Sequence, residues 1–254
     1  YVANGGNGSA VDTITVYQGA DIAYGETRFA AVTLGSLNGQ ELVWAPINVG
    51  ATEIATDMKE SDYGTDAVVS YSEDLIAKCF PQCGYFYQWG RNVPFKFGTN
   101  VEGGYLSGTG LPTYAEACQN TGTYANTYIY IGFYWFKDYS SSAADGLSPL
   151  LTDKKWPREY QPCPAGWHVP SKEEWGELVK QTSTTVNGVC IYGGKLSIPK
   201  AGYLTGATWV GIQYSFYWLS DYGDRYPYSC NLPTTIDSST YGAGCGLPIR
   251  CIKD

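Results

Sequence analysis

The sequence predicts an α+β fold of short antiparallel strands, few helices and long loops. Three observations carry the prediction. One segment, Lys172–Lys180, has a helix-start signature and apolar residues at helical spacing. Around it lie many short runs rich in β-branched and aromatic residues, cut by Gly, Asn, Asp and Pro. No fixed-period repeat and no linker divides the chain, so residues 13–254 read as one domain behind a Gly/Asn/Ser-rich tether at residues 1–12.

Taken in order, Thr13–Tyr17 and Phe29–Leu34 read as strands. A Leu-Asn-Gly turn makes Thr33 to Val49 a hairpin, with Pro46 marking a strand end or edge. Ser72–Lys78 reads as a short helix and Gly84–Trp89 as an aromatic strand or packed turn. Residues 91–160 read as ordered loops around a few strands, Tyr128–Phe136 being their strongest apolar run. Ser171 caps the main helix, with Glu174 completing a capping box. Trp175, Leu178 and Val179 then share the face that must bury against a sheet. Six short strands follow, at Val189–Tyr192, Lys195–Ile198, Gly202–Leu204, Phe216–Ser220, Tyr228–Leu232 and Leu247–Ile252.

Composition narrows function. A net charge of -8 with scattered Lys and Arg excludes nucleic acid and acidic membranes as partners, because both need a basic stripe. No apolar run reaches the ~20 residues of a membrane span, so direct insertion is not expected. With 44% apolar residues the chain can bury a large core. Eight Cys and one His, without zinc-knuckle spacing, favour disulfides and an oxidising compartment. The chain begins at Tyr1 without a leader, which reads as a trimmed, exported product.

No catalytic residue is expected. His168 reads as a packing residue, and no nucleophile elbow, P-loop or dinucleotide fingerprint is present. The strongest local signal is Tyr214–Tyr228, in which seven of fifteen residues are aromatic. Phe216 and Trp218 alternate as core residues of a strand, which puts Tyr217 on the opposite side. Tyr222, Arg225, Tyr226 and Tyr228, in or beside a polar turn, read as a recognition surface. With Tyr214, Tyr217, Asp221, Asp224, Asp237 and Tyr241 they make up the expected ligand face. No cofactor is expected, although Asp221, Asp224 and Asp237 together could hold calcium.

Three segments carry a resemblance: Cys163-Pro-Ala-Gly-Trp-His-Val-Pro followed by the capped helix, Phe216-Tyr-Trp-Leu-Ser, and Pro248-Ile-Arg-Cys-Ile-Lys-Asp. In order and spacing they resemble the Fibrobacter succinogenes major paralogous domain, a family of Bacteroidetes surface lipoproteins and fimbria-associated proteins. Leu42-Val-Trp-Ala-Pro-Ile-Asn and Tyr85-Phe-Tyr-Gln-Trp-Gly-Arg extend the likeness over about residues 28–254. The resemblance implies a C-type-lectin-like or formylglycine-generating-enzyme-like fold, with the chain ends in one sheet and a loop-built binding face. It also resembles retroelement-diversified variable proteins, which implies variation in the interval Tyr214–Gly246. Independently of the resemblance, Cys163 precedes the capped helix and Cys251 sits in the last strand, so a bridge between them would staple helix to sheet; Cys230 with Cys245 would tie the ligand loop, and Cys79 with Cys83 would be a local bridge. Cys118 and Cys190 are left over, and eight Cys allow roughly a hundred pairings.

The leading expectation is a non-enzymatic adhesin or ligand-binding module at a cell surface, recognising a glycan or a surface protein. Its rivals are a structural subunit that pairs a strand edge with neighbouring subunits, and a carbohydrate-active enzyme with two opposed carboxylates.

Overall fold

The computed structural model describes residues 2–254 except 4–11, 14–21, 25–26, 60, 62, 64–66, 102–103, 108–109, 133, 138–152, 212–214, 225 and 239–240. Most of the tether and most of the Thr13–Tyr17 strand expected from the sequence therefore lie outside the described residues. What is described there is two short antiparallel pairs, β1 (Val2–Ala3) with β2 (Asp12–Thr13) and β3 (Ile22–Tyr24) with β4 (Thr27–Phe29).

Asn38 and Gly39 both take positive φ, the conformation a tight hairpin turn demands, and join β5 (Val32–Leu37) to β6 (Gln40–Asn48). Pro46 falls inside β6 rather than at its end. The sheet tolerates it because β5 pairs with β6 only as far as Trp44. On the other side the register shifts between Asn48 and Trp44, so the missing N–H leaves no regular rung broken.

Helix α1 (Glu73–Cys83) starts on its Ser72 cap and runs five residues past the expected end, through Pro81. Burial of Cys79, Gln82 and Cys83 outweighs the proline penalty. The chain continues through β7 (Tyr85–Gln88), β8 (Phe95–Lys96), β9 (Tyr105–Leu106), the single turn α2 (Tyr114–Ala117) and β10 (Tyr128–Ile129). Among the described residues of the Tyr128–Phe136 run the first two form the strand, and Trp135 and Phe136 enter the core from loop. Next come β11 (Trp167–His168) and α3 (Lys172–Val179).

After α3 the described elements are strands: β12 (Ser183–Val186), β13 (Val189–Tyr192), β14 (Leu196–Pro199), β15 (Tyr203–Thr205), β16 (Thr208–Val210), β17 (Phe216–Tyr222), β18 (Pro227–Asn231), β19 (Thr235–Asp237), β20 (Gly246–Pro248) and β21 (Arg250–Lys253). The segment Leu247–Ile252, read as one strand, is two, and they serve different sheets. β20 lies in the order β16-β15-β20-β7-β8, and β21 in β11-β21-β6-β5. The first long hairpin and the last strand thus share a sheet. The mostly β architecture with few helices is the α+β arrangement expected.

Core residues fall into three clusters. Helix α3 closes one of them by placing Trp175 edge-on to Trp44, with ring centroids 5.6 Å apart. The Ser171–Glu174 capping box is present in full: Glu174 N donates to Ser171 Oγ at 3.2 Å, and Ser171 N donates to Glu174 Oε2 at 2.7 Å. Ser171→Ala is expected to cost about 1 kcal/mol of folding stability, read as a lowered urea midpoint with unchanged slope.

Two arginines are fully buried and act as carbonyl organisers. Arg91 donates to the carbonyls of Ala117, Thr127 and Tyr124 and to Gln88 Oε1, so one guanidinium gathers the loops between residues 117 and 127. Arg250 donates to Ala45 and Ser197 carbonyls and ties β21 to β6 and β14.

Candidate functional site

The hairpin β17–β18, extended by β19, carries most of the ligand face expected from the sequence. Strand β17 is buried along its whole length. Phe216, Trp218 and Tyr222 point into one core cluster, while Tyr217 and Leu219 point into another. A strand alternates its faces, so covering both faces buries every residue.

That corrects four of the expected contact residues. Tyr217 has no exposed surface, and its hydroxyl donates to the Pro199 carbonyl at 2.7 Å while accepting from Asn48 Nδ2 at 2.9 Å. Burial raises its phenol pKa far above the ordinary value. Tyr222 packs on Trp89 with centroids 5.2 Å apart, and Tyr241 packs on Phe216 at 4.2 Å and Tyr203 at 4.8 Å. Asp221 is buried between the Lys155 ammonium and the Lys172 backbone N–H, 2.7 Å from its Oδ2. It thereby satisfies one of the orphan donors at the start of α3. These four side chains hold the fold and offer nothing to a surface ligand. Tyr214 and Arg225 lie outside the described residues.

What remains at the surface is a rim. Asp224 is fully exposed, with Lys154 Nζ 3.9 Å away, and Tyr226, Tyr228 and Asp237 are half-buried. Lys172, at the first helical position of α3, brings its ammonium over the Tyr228 ring, 5.0 Å from the centroid. Sequence reasoning missed Lys172 as a partner of the hairpin. The capping box located it at a helix start, but nothing in the sequence places that start against Asp221.

Beside the rim lies a cavity of about 320 Å³, lined in part by Lys155, Arg158, His168, Glu174 and Ser220. His168 is clasped from both sides, with Nδ1 2.8 Å from Asp254 Oδ1 and Nε2 3.0 Å from Glu174 Oε1. Asp254 also pairs with Arg158, and Glu174 is already committed to the capping box. The carboxylate lining the cavity, Glu174, thus serves the start of α3 and His168.

The calcium reading finds no support in this loop. Asp221 is taken up by lysine and backbone, and among the described residues no group of three or more His, Cys, Asp or Glu side chains could hold an ion.

The disulfide expectation holds in one place. Cys163 and Cys251 are bonded, joining the segment before β11 to β21 across 88 residues of sequence. The other expected bridges are corrected. Cys230 and Cys245 lie in different core clusters, one below α3 and the other donating to Thr205 Oγ1 at 3.7 Å. Cys79 and Cys83 stand one turn apart on α1, where Cβ atoms are ~5–6 Å apart, beyond the ~3.5–4.5 Å a bridge needs. Burial raises the pKa of the Cys83, Cys230 and Cys245 thiols, the last to about 11.

The chain matches no family model, no curated protein and no solved structure. The geometry of the rim therefore carries the functional argument.

Proposed function

We propose that this chain is a non-enzymatic binding module, displayed at a bacterial cell surface, that takes a glycan or a surface-protein ligand on the rim of the β17–β18–β19 hairpin. One observation carries the reading: Tyr226, Tyr228, Asp224, Asp237 and Lys172 ring a hairpin whose inner strand is buried on both faces. A ligand meeting such a rim pays little ordering entropy, because the backbone beneath it is already fixed. Tyrosine rings stack on the C–H faces of sugars, while the flanking Lys and Asp groups exchange hydrogen bonds with hydroxyls.

Two further features support export and a C-type-lectin-like scaffold. A disulfide fits an oxidising compartment. The sheet that joins β5 and β6 to β21 fits a fold in which the chain ends meet, as the resemblance to surface and fimbria-associated domains implies.

A second reading, a structural subunit of a surface assembly, is favoured by β12. Its four residues, Ser183–Val186, form a sheet edge with no neighbour on one side among the described strands, and Val186 is 53% exposed. Such an edge is a template for another chain.

The test is binding of the labelled protein to a glycan array and to intact host and bacterial cells. Tyr226→Ala/Tyr228→Ala is expected to reduce binding at least roughly tenfold, since aromatic anchors often carry 2 kcal/mol or more each. Failure of the intact protein to bind, together with polymers on sizing, would replace this reading with the structural subunit.

A further inference from the structure

Helix α1 turns its Cys79 and Cys83 side chains, one turn apart, toward the same place. Facing them is Met58, the one methionine in the chain. All three residues are completely buried. Cys83 Sγ lies 3.8 Å from Met58 Sδ, and the Tyr63 hydroxyl lies 3.2 Å from Met58 Sδ while also touching Cys79 Sγ. The Met58 thioether and the Cys79 thiol thus meet at one phenol, and the Cys83 thiol meets the thioether.

The position of the thioether is fixed from outside. Met58 N donates to the Asn187 carbonyl at 2.6 Å, and a Cβ on Gly188 would fall 1.5 Å from the Met58 carbonyl oxygen. Only glycine at position 188 lets the 187–188 turn close on Met58. The site also has a spare donor. The Tyr71 hydroxyl is buried without a hydrogen-bond partner among the described residues. Burial first, then Cys83 and Cys79, push its phenol to about 12.

We propose that Met58, Cys79 and Cys83 form a binding site for one soft monovalent metal ion, in biology Cu(I). Thiol and thioether sulfurs are the donors that select Cu(I). Three sulfurs in a plane around an ion, at metal–sulfur bonds of ~2.3 Å, stand about 4 Å apart, close to the separation of Cys83 and Met58. Charge decides against divalent ions. Binding breaks one S–H bond and forms one metal–thiolate bond, and the proton leaves to water. A monovalent ion with one thiolate is neutral, which suits an apolar cluster. Zn²⁺ would need two thiolates and further anionic or imidazole donors, and no such group of three exists among the described residues. The Tyr63 phenol then holds the thiolate. Tyr63 gives its O–H to Met58 in the metal-free protein and can turn it to Cys79 once that sulfur is a thiolate.

The experiment loads the reduced full chain with Cu(I), both folded and during refolding, against a chromogenic Cu(I) chelator. X-ray absorption then reads the donors. One equivalent of Cu(I) held on sulfur is expected. Met58→Leu, which keeps the packing volume, is expected to retain the fold and weaken retention about tenfold or more. Cys79→Ser/Cys83→Ser is expected to lose the ion, while Cys230→Ala/Cys245→Ala is expected to keep it. No retained ion by either loading route, or retention unchanged in both Met58→Leu and Cys79→Ser/Cys83→Ser, overturns the proposal.

Discussion

Raising the pH above 9 is expected to unfold this protein, with stability falling by several kcal/mol between pH 9 and 11. The cause is the number of acids buried in neutral form. Tyr114, Tyr128, Tyr192 and Tyr217 all have phenols raised by burial well above the ordinary value of 10.0, and Tyr71 is raised to about 12. The Cys83, Cys230 and Cys245 thiols are likewise raised above 9.0. In the unfolded chain these groups release protons from about pH 9 for thiols and 10 for phenols. In the folded chain they keep them, so above those values the unfolded state is the one that ionises and gains. The stabilising contribution is whole below the unfolded pKa and is lost as pH rises toward the folded one. Each group costs ~1.4 kcal/mol per pH unit within that window.

Arg91 works the other way. Burial, the largest influence on it, lowers its pKa to about 9. It is one group against the eight acids named. The measurement is a thermal midpoint series from pH 7 to 11, with phenolate absorbance followed in parallel. The phenolate contributed by Tyr114, Tyr128, Tyr192 and Tyr217 should appear only in step with cooperative unfolding. Phenolate absorbance that reaches its full value for all 23 tyrosines while the protein is still folded would contradict the burial described here.

Replacing both Cys163 and Cys251 by alanine is expected to cost about 4–5 kcal/mol, the chain-entropy value for a loop of this length. The consequence is local as well as global. β11 pairs with β21 through two residues only, Trp167 with Lys253 and His168 with Ile252. Further ties of that corner include the Asp254 N–H donating to the Gly166 carbonyl at 3.0 Å, the exposed Arg158–Asp254 pair and the His168 clasp, and surface ion pairs are worth little. Loss of the bridge therefore loosens the chain end and the start of α3, on which Lys172 and the rim depend. Urea midpoints of the double variant, and of the native protein with and without reductant, read this out. The other thiols are already unbridged, so reductant acts on this bond alone. Equal midpoints in all three samples would contradict it.

The parts of the fold set by local chemistry were legible in the sequence. Asn38-Gly39 named a hairpin, Ser171 with Glu174 named a helix start, and Phe216 with Trp218 named a core face. Tyr217 and Tyr222 were misplaced because a strand buried on both sides has no polar alternation to read. Asp221 looked like a surface ligand because its partners, Lys155 and the α3 N-terminus, arrive from 66 and 49 residues away. An even cysteine count suggested a full set of bridges, yet helical spacing at Cys79 and Cys83, and separate cores for Cys230 and Cys245, prevent them. Of the expected ligand face, the described members that survive at the surface are Asp224, Tyr226, Tyr228 and Asp237.

Binding to the best glycan-array or cell-surface target, compared between native protein, Tyr226→Ala/Tyr228→Ala/Lys172→Ala and an exposed control at Val186→Ser, bears most directly on the rim. Loss of binding in the rim variant with an unchanged thermal midpoint, and full binding by the control, is the predicted result. Equal binding by the rim variant and the native protein would place the ligand elsewhere on the molecule and contradict the proposed function.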